Sequence, residues 1–293
     1  MATLNSGDTM LVKGNNATYG DNLWFANQFT STAYYDVEGN IMSLIGGDNF
    51  TGLTELVSAK TFVFLFSSYY DGDYHDSYLQ SAGNLVLPAT TLTDACYGDM
   101  FEGCTNLTSA PELPATTLAS DCYNTMFYGC ASLTTPPALP ATTLADGCYE
   151  YMFEECTNLT VAPELPATTL VLDCYNTMFK DCTSLTTAPE LPATTLADRC
   201  YREMFYGCTS LTTAPSVLPA TTLAEYCYEG MFGGCSSLNY VKCLATDISA
   251  NSCTMDWLRG VSSTGTFMKD SSMNDWTTGI NGIPTNWTVV DAS

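Results

Sequence analysis

The sequence predicts an α/β repeat solenoid, in which each coil of about 26 residues combines a short extended segment with a short helix. The first observation is that "LPATTL" occurs six times, starting at Leu87, Leu113, Leu139, Leu165, Leu191 and Leu218. The second is the spacing of these copies, which is 26 residues four times and 27 residues once. A fixed period in this range indicates stacked coils, because one such unit cannot bury its apolar face alone.

Residue types that recur inside the repeat predict its two halves. Counted from the Leu of "LPATTL" as position 1, all six copies have Cys at positions 10 and 18, Tyr at 11, Met at 14, Phe at 15 and Leu at 21. Thr-Thr-Leu after a proline favours an extended segment, and we expect the threonines at positions 4 and 5 to stack between coils. The apolar residues at positions 10, 11, 14, 15 and 18 have the spacing of one helix face.

The rest of the chain is predicted to extend or cap this stack. We expect a β-rich N-terminal cap at 1–51 and a solenoid at 52–268. The solenoid comprises a degenerate coil with an insert at 67–84, six regular repeats at 87–243 and a second degenerate coil at 244–268. The segment 269–293 is expected to be a Trp-containing C-terminal cap, because three of the four tryptophans follow residue 253 and the open end of a solenoid needs cover.

The charge of the chain excludes some classes of partner. There are 31 acidic residues against 8 basic ones, and no Lys or Arg lies between Thr61 and Phe179. A nucleic-acid binder needs cations that face phosphate, so we expect no nucleic-acid partner. No apolar run reaches the ~18 residues of a membrane span. No secretory signal is visible at the start, so either the signal was removed or the protein leaves its cell by another route, such as phage release by lysis.

The cysteines are predicted to be free thiols of the structural core. Two of them eight residues apart on a helix are separated by about 12 Å, which is beyond disulfide reach. Zinc ligands converge on one point, whereas the two columns formed by positions 10 and 18 run parallel, so we expect no metal. The core cysteines are Cys96, Cys104, Cys122, Cys130, Cys148, Cys156, Cys174, Cys182, Cys200, Cys208, Cys227 and Cys235.

The insert is the predicted centre of partner binding. From Gly52 to Leu87 is 35 residues, and the excess over one period falls in "SSYYDGDYHDSYLQSAGN". Insertions in solenoids emerge as loops, often on the binding face, and Tyr with Ser, Gly and Asp is typical of antibody loops. A loop that only covers the first coil is the open alternative. The candidate partner-binding residues are Tyr70, Asp71, Asp73, Tyr74, His75, Asp76, Tyr78, Tyr128, Tyr151 and Tyr206.

Catalytic chemistry is not expected. His75 is the only histidine and lies away from the repeated cysteines, so no nucleophile and base converge. Asp71, Asp73 and Asp76 could bind calcium, although their spacing differs from that of an EF-hand loop. We therefore predict no enzyme activity and no cofactor, with calcium left open.

Two stretches carry a family resemblance. "YMFEECTNLT" and "MFKDCTSLTTAPELP" resemble the "AFxxCxxLxxIxIP" rhythm of BspA-like leucine-rich-repeat proteins of Bacteroidetes and their phages, over roughly residues 52–268. The resemblance implies leucine-rich-repeat-like coils, surface attachment or partner binding, and no catalytic residues. We predict a non-enzymatic recognition or adhesion protein, extracellular or at a cell surface, that binds a protein or glycan there. The alternative is a virion fibre or decoration subunit that binds other virion proteins; a homo-oligomer is left open.

Overall fold

The computed structural model describes residues 8–14, 28–70 and 72–292 and shows one continuous stack of coils. Regular elements are short and lie mainly toward the two ends of the chain. In chain order they are β1 (Tyr35–Asn40), α1 (Ser43–Gly46), a 3-10 helix (Gly47–Asn49), β2 (Tyr69–Tyr70), β3 (Asp73–Tyr74), β4 (Leu79–Val86), β5 (Tyr240–Cys243), β6 (Gly265–Lys269) and β7 (Trp287–Asp291). β1 pairs in parallel with β4, β2 is antiparallel to β3, and β5, β6 and β7 form a parallel sheet.

Parallel pairing continues between the regular coils as single bridges. At position 5, Thr91 pairs with Thr117 and Thr117 with Thr143, and a second line of bridges includes Thr187 with Thr213. The side chains of these threonines are exposed. The expected stacking of threonines is therefore present at position 5, as a backbone ladder whose side chains are exposed.

The predicted short helix is absent, and this part of the sequence prediction is wrong. Residues 87–243, all of which the structure describes, contain no helix. Positions 9, 13 and 17 instead have left-handed backbone; in the second copy these are Asp121, Thr125 and Gly129, with φ of 55°, 57° and 67°. A left-handed residue at every fourth position interrupts an α-helix, so positions 10 to 18 form a series of turns.

The backbone hydrogen bonds explain why turns replace the helix. The N–H groups of Cys122 and Asn124 donate to carbonyls three residues earlier in the same coil. Those of Tyr123 and Thr125 donate to Cys148 O and Glu150 O of the next coil, at 3.1 and 2.9 Å. An α-helix would satisfy nearly all of these groups internally and leave none to join neighbouring coils. Both arrangements bury residues at i and i+4, so apolar spacing alone does not distinguish them.

Two columns of stacked aromatic rings fill the core. One runs from Phe62 through the six position-11 tyrosines to Trp257 and Trp276, with neighbouring ring centroids 5.4–6.1 Å apart. The other runs from Phe29 through Phe66 and the position-15 phenylalanines to Phe232, with spacings of 5.4–5.7 Å. Nearly parallel rings at these distances bury large apolar areas in every coil.

The cysteines belong to the same buried core as the rings. All fourteen are buried and without a disulfide. At position 18 the thiol donates to the phenylalanine carbonyl of the preceding coil, as from Cys130 Sγ to Phe101 O at 3.2 Å. Burial raises the pKa of these thiols, to about 12 for Cys148, which keeps them protonated and unreactive.

The C-terminal tryptophans close the tyrosine column. Trp276 stacks on Trp257 at 5.4 Å, and Trp257 Nε1 donates to Gly282 O at 3.0 Å. Trp287 Nε1 donates to Ser262 O at 2.8 Å. The tail therefore wraps onto the last coil through both packing and hydrogen bonds. Of the expected N-terminal cap, residues 1–7 and 15–27 lie outside the described part of the chain.

Candidate recognition face

The variable positions 12, 13 and 16 of the coils lie on one side of the stack, which we call the recognition face. The fixed residues between them are buried, whereas Tyr128 and Tyr151 are half-buried and Tyr206 is 40% exposed. The coil-to-coil hydrogen bonds make side chains 26 or 27 residues apart direct neighbours on this face. Contacts across it are therefore set by the repeat period.

The insert folds as a hairpin beside this face. β2 and β3 pair antiparallel, with Tyr69 opposite Tyr74, and the two rings lie 4.9 Å apart. The N–H of His75 donates to Ser68 O at 3.0 Å and closes the base of the hairpin. Tyr69 was not among the predicted site residues, although cross-strand pairing in a tight hairpin could have identified it.

The hairpin docks on the first two regular coils. The Tyr74 ring lies 6.4 Å from the ring of Tyr128, and its hydroxyl donates to Glu102 Oε1 at 2.6 Å. A Cβ at Gly103, where φ is 68°, would lie 2.1 Å from Ser68 Oγ and 3.0 Å from Tyr74 Cδ1, so only glycine permits this approach. Partial burial and the Glu102 carboxylate raise the pKa of Tyr74. The docking produces a row of three tyrosines, Tyr69, Tyr74 and Tyr128, which we call the tyrosine row.

The predicted insert residues Asp73, Asp76 and Tyr78 are not part of this row. Tyr78 packs edge-on against Tyr34 at 5.7 Å, beside the β1–β4 pair, so Tyr74 and Tyr78 do not share a face. Asp73 Oδ1 accepts a hydrogen bond from the N–H of Tyr74. Asp76 is exposed and accepts a long bond from the Tyr78 hydroxyl. Asp71 lies outside the described residues, and for Tyr70 only the backbone is described.

The middle of the recognition face holds a hydrogen-bonded ladder at position 12. The amides of Asn124 and Asn176 donate to the two carboxylate oxygens of Glu150, at 3.1 and 2.8 Å. Burial, together with the charge of Asp173, raises the pKa of Glu150 to about 7. One acidic side chain thus joins three successive coils.

Toward the C-terminus the face changes from acidic to mixed charge. Lys180 bridges Glu154 and Glu203 at 3.4 and 3.3 Å, and Arg202 Nε contacts Glu229 at 2.7 Å. This chain of ion pairs crosses the coils from Glu154 to Glu229. These ion pairs were not predicted from the sequence. Opposite charges about one period apart at positions 12, 13 and 16 would have indicated them.

Comparison with protein families identifies the repeat. The BspA type leucine rich repeat region, in six copies, matches residues 96–212 and 148–255. These matches cover more than half of the chain and span the coils that carry the recognition face. The chain belongs to the BspA-type leucine-rich-repeat family. The resemblance predicted from the sequence is therefore confirmed. Searches among curated proteins and among solved structures returned no match.

Membership in the BspA-type family indicates a repeat protein of a binding class that is generally not enzymatic. The BspA-type coils of this chain nevertheless lack the predicted helices. In the described part of the chain, no three His, Cys, Asp or Glu side chains are grouped as metal ligands. Within that same part, no helix has the length and apolar character to cross a membrane.

Proposed function

We propose that this protein is a recognition protein that uses the tyrosine row to bind a macromolecular partner at a cell surface. The main support is that Tyr74 is 49% exposed although its position is fixed by Tyr69, Tyr128 and Glu102. An aromatic side chain that is ordered before binding gives contact area at low entropic cost. Membership in a repeat family associated with protein binding supports the same class of function.

The test is binding of fluorescently labelled protein to a panel of bacterial and epithelial cells, measured by flow cytometry. The variant Tyr74→Ser/Tyr128→Ser removes the exposed part of the row, and we expect it to lose binding with only a modest fall in melting temperature, since loss of the Tyr74 hydrogen bond to Glu102 costs about 1 kcal/mol. Tyr240→Ser is the matched control, because Tyr240 is 38% exposed but lies on β5, outside the tyrosine row.

Two results would contradict the proposal. Unchanged binding with a lowered melting temperature would mean that the hairpin only covers the first coils. Absence of binding by the wild-type protein to every cell type would favour the competing proposal, a virion subunit whose partners are other virion proteins.

A further inference from the structure

The sixth repeat lacks side chains where the fifth has large ones. Gly230 and Gly233 occupy positions 13 and 16, which are Glu203 and Tyr206 one coil earlier. Beside Gly230 lies a surface depression of about 320 Å³, here called the notch. Its lining is Lys180, Glu203, Tyr206, Glu229, Gly230, Asp256 and Arg259. Clefts that hold small ligands measure roughly 300–1,000 Å³, so the notch suits a ligand of one ring.

Tyr206 forms the aromatic wall of the notch. A Cβ at Gly233 would lie 2.7 Å from Tyr206 Cδ2, so a larger residue there would displace the ring. Lys180 Nζ lies 5.9 Å from the ring centroid. Among the described residues no ring stacks on Tyr206, whereas Tyr74 stacks on Tyr128 at the equivalent position of the second repeat. Tyr206 therefore presents an aromatic surface that other rings leave open.

The charged rim of the notch is already paired. Glu203 has Lys180 at 3.3 Å, Glu229 has Arg202 at 2.7 Å, and Asp256 has Arg259 at 3.7 Å. A charged ligand would have to compete with these internal partners and lose its own hydration. A neutral hydroxyl can donate to a carboxylate and accept from Lys or Arg while the ion pairs remain. The rim thus favours a neutral ligand rich in hydroxyl groups.

We infer that the notch binds one pyranose unit of a neutral glycan. A pyranose has a C–H face that packs against an aromatic ring, and hydroxyls around its edge that reach a polar rim. The inference rests on the proposed function, because it names the ligand class for a second patch of the same recognition face. It uses residues separate from the tyrosine row.

The test uses the full chain with the methyl glycosides of glucose, galactose, mannose and N-acetylglucosamine as probes. Saturation-transfer NMR and calorimetric titration should show saturable binding of at least one of them. Tyr206→Ala should weaken that binding about tenfold or more, because the stacking surface is lost. Tyr206→Phe should keep it, and Tyr240→Ala is the matched control, because Tyr240 is 38% exposed but lies on β5, outside the notch and the tyrosine row.

The inference is overturned by absence of binding to all four glycosides, by equal binding in Tyr206→Ala, or by equal loss in Tyr240→Ala. Binding of a methyl glucuronide in preference to the neutral sugars would also overturn it. The proposed function is tested in a separate experiment, by measuring how the tyrosine-row variant binds to cells. Failure of either proposal can therefore be told from failure of the other.

Discussion

The hydroxyl of Tyr74 donates a hydrogen bond of 2.6 Å to Glu102 Oε1, a residue 28 positions further along the chain. This bond links β3, the second strand of the hairpin, to the first regular repeat. Ser67 Oγ, at the start of the insert, also lies 3.3 Å from Glu102 Oε2. One carboxylate therefore holds both the residue that leads into the hairpin and its second strand, and the orientation of the tyrosine row depends on it.

Tyr74→Phe should lower the free energy of unfolding by about 1 kcal/mol, because it removes a hydrogen bond to a partly buried carboxylate while the ring stays. Equilibrium urea unfolding measures the change. Tyr128→Phe is the control, since its bond to Glu155 is 3.1 Å long and exposed, and its effect should be smaller. Equal losses in the two variants would argue against a special role for Glu102.

Tyr97→Phe should stabilise the protein by about 1 kcal/mol, because the Tyr97 hydroxyl is buried with no hydrogen-bond partner. The ring would keep its place between Phe62 and Tyr123. Tyr149→Phe removes the same atom from the same column and should have less effect, since its hydroxyl is not among the unsatisfied buried groups of the described residues. Thermal unfolding of the three proteins compares them, and a destabilised Tyr97→Phe would disprove the idea.

The thiols should resist alkylation in the native state. Burial raises their pKa, so little thiolate exists near pH 8 and access is blocked. Mass spectrometry after iodoacetamide treatment should show unmodified native protein and, after denaturation, up to fourteen modifications. Cys253 should react first, because its 3% exposure is the largest among the fourteen and it lies in the last, degenerate coil. Fewer free thiols after denaturation would indicate disulfides.

Stability should fall as pH rises from about 4 to about 8. Burial raises the pKa of Asp99 to about 8 and of Glu150 and Glu154 to about 7. The folded state therefore binds more protons than the unfolded state in this window, where unfolded carboxyls have already ionised. The urea midpoint should be higher near pH 5.5 than near pH 8. A higher midpoint near pH 8 would contradict this.

Asp99→Asn should flatten that pH dependence and raise the midpoint near pH 8, because it removes a carboxyl that ionises unfavourably in the fold. Asn also tolerates the left-handed backbone at this position, where φ is 55°. Asp247→Asn is the control, since hydrogen bonds from Ser249 lower the pKa of that exposed carboxyl. If Asp247→Asn also flattened the pH dependence of the urea midpoint, the total charge of the protein, rather than the burial of Asp99, would cause that dependence.

The repeat period and the residues of the core could be predicted from the sequence. Both follow from the same residue types recurring at a fixed spacing along the chain. Cys130, Phe127 and Tyr123 recur in every copy, and a side chain that repeats without change must meet its own copy in the next coil. Trp257 does not follow from this logic, because it occupies the methionine position of the last coil, yet its ring stacks in the tyrosine column.

The backbone of positions 10 to 18 could not be predicted in the same way. The spacing of Cys122, Met126 and Cys130 fits both a helix and a series of four-residue turns, and the choice depends on hydrogen bonds to another coil. The notch was missed for a different reason. Its lining joins side chains from four successive coils, and the spacing within one repeat does not indicate such a site.

The alternation of hydrogen bonds within and between coils also determines how the protein responds to mechanical load. The bonds between coils lie along the stack, so a force that pulls the two chain ends apart loads one interface at a time. Coils should peel from the ends in sequence rather than shear together. Each detached repeat releases 26 residues, and at roughly 3.5 Å per residue the tether lengthens by about 90 Å. Under tension at a surface, the stack would thus extend in equal steps while the remaining coils stay folded.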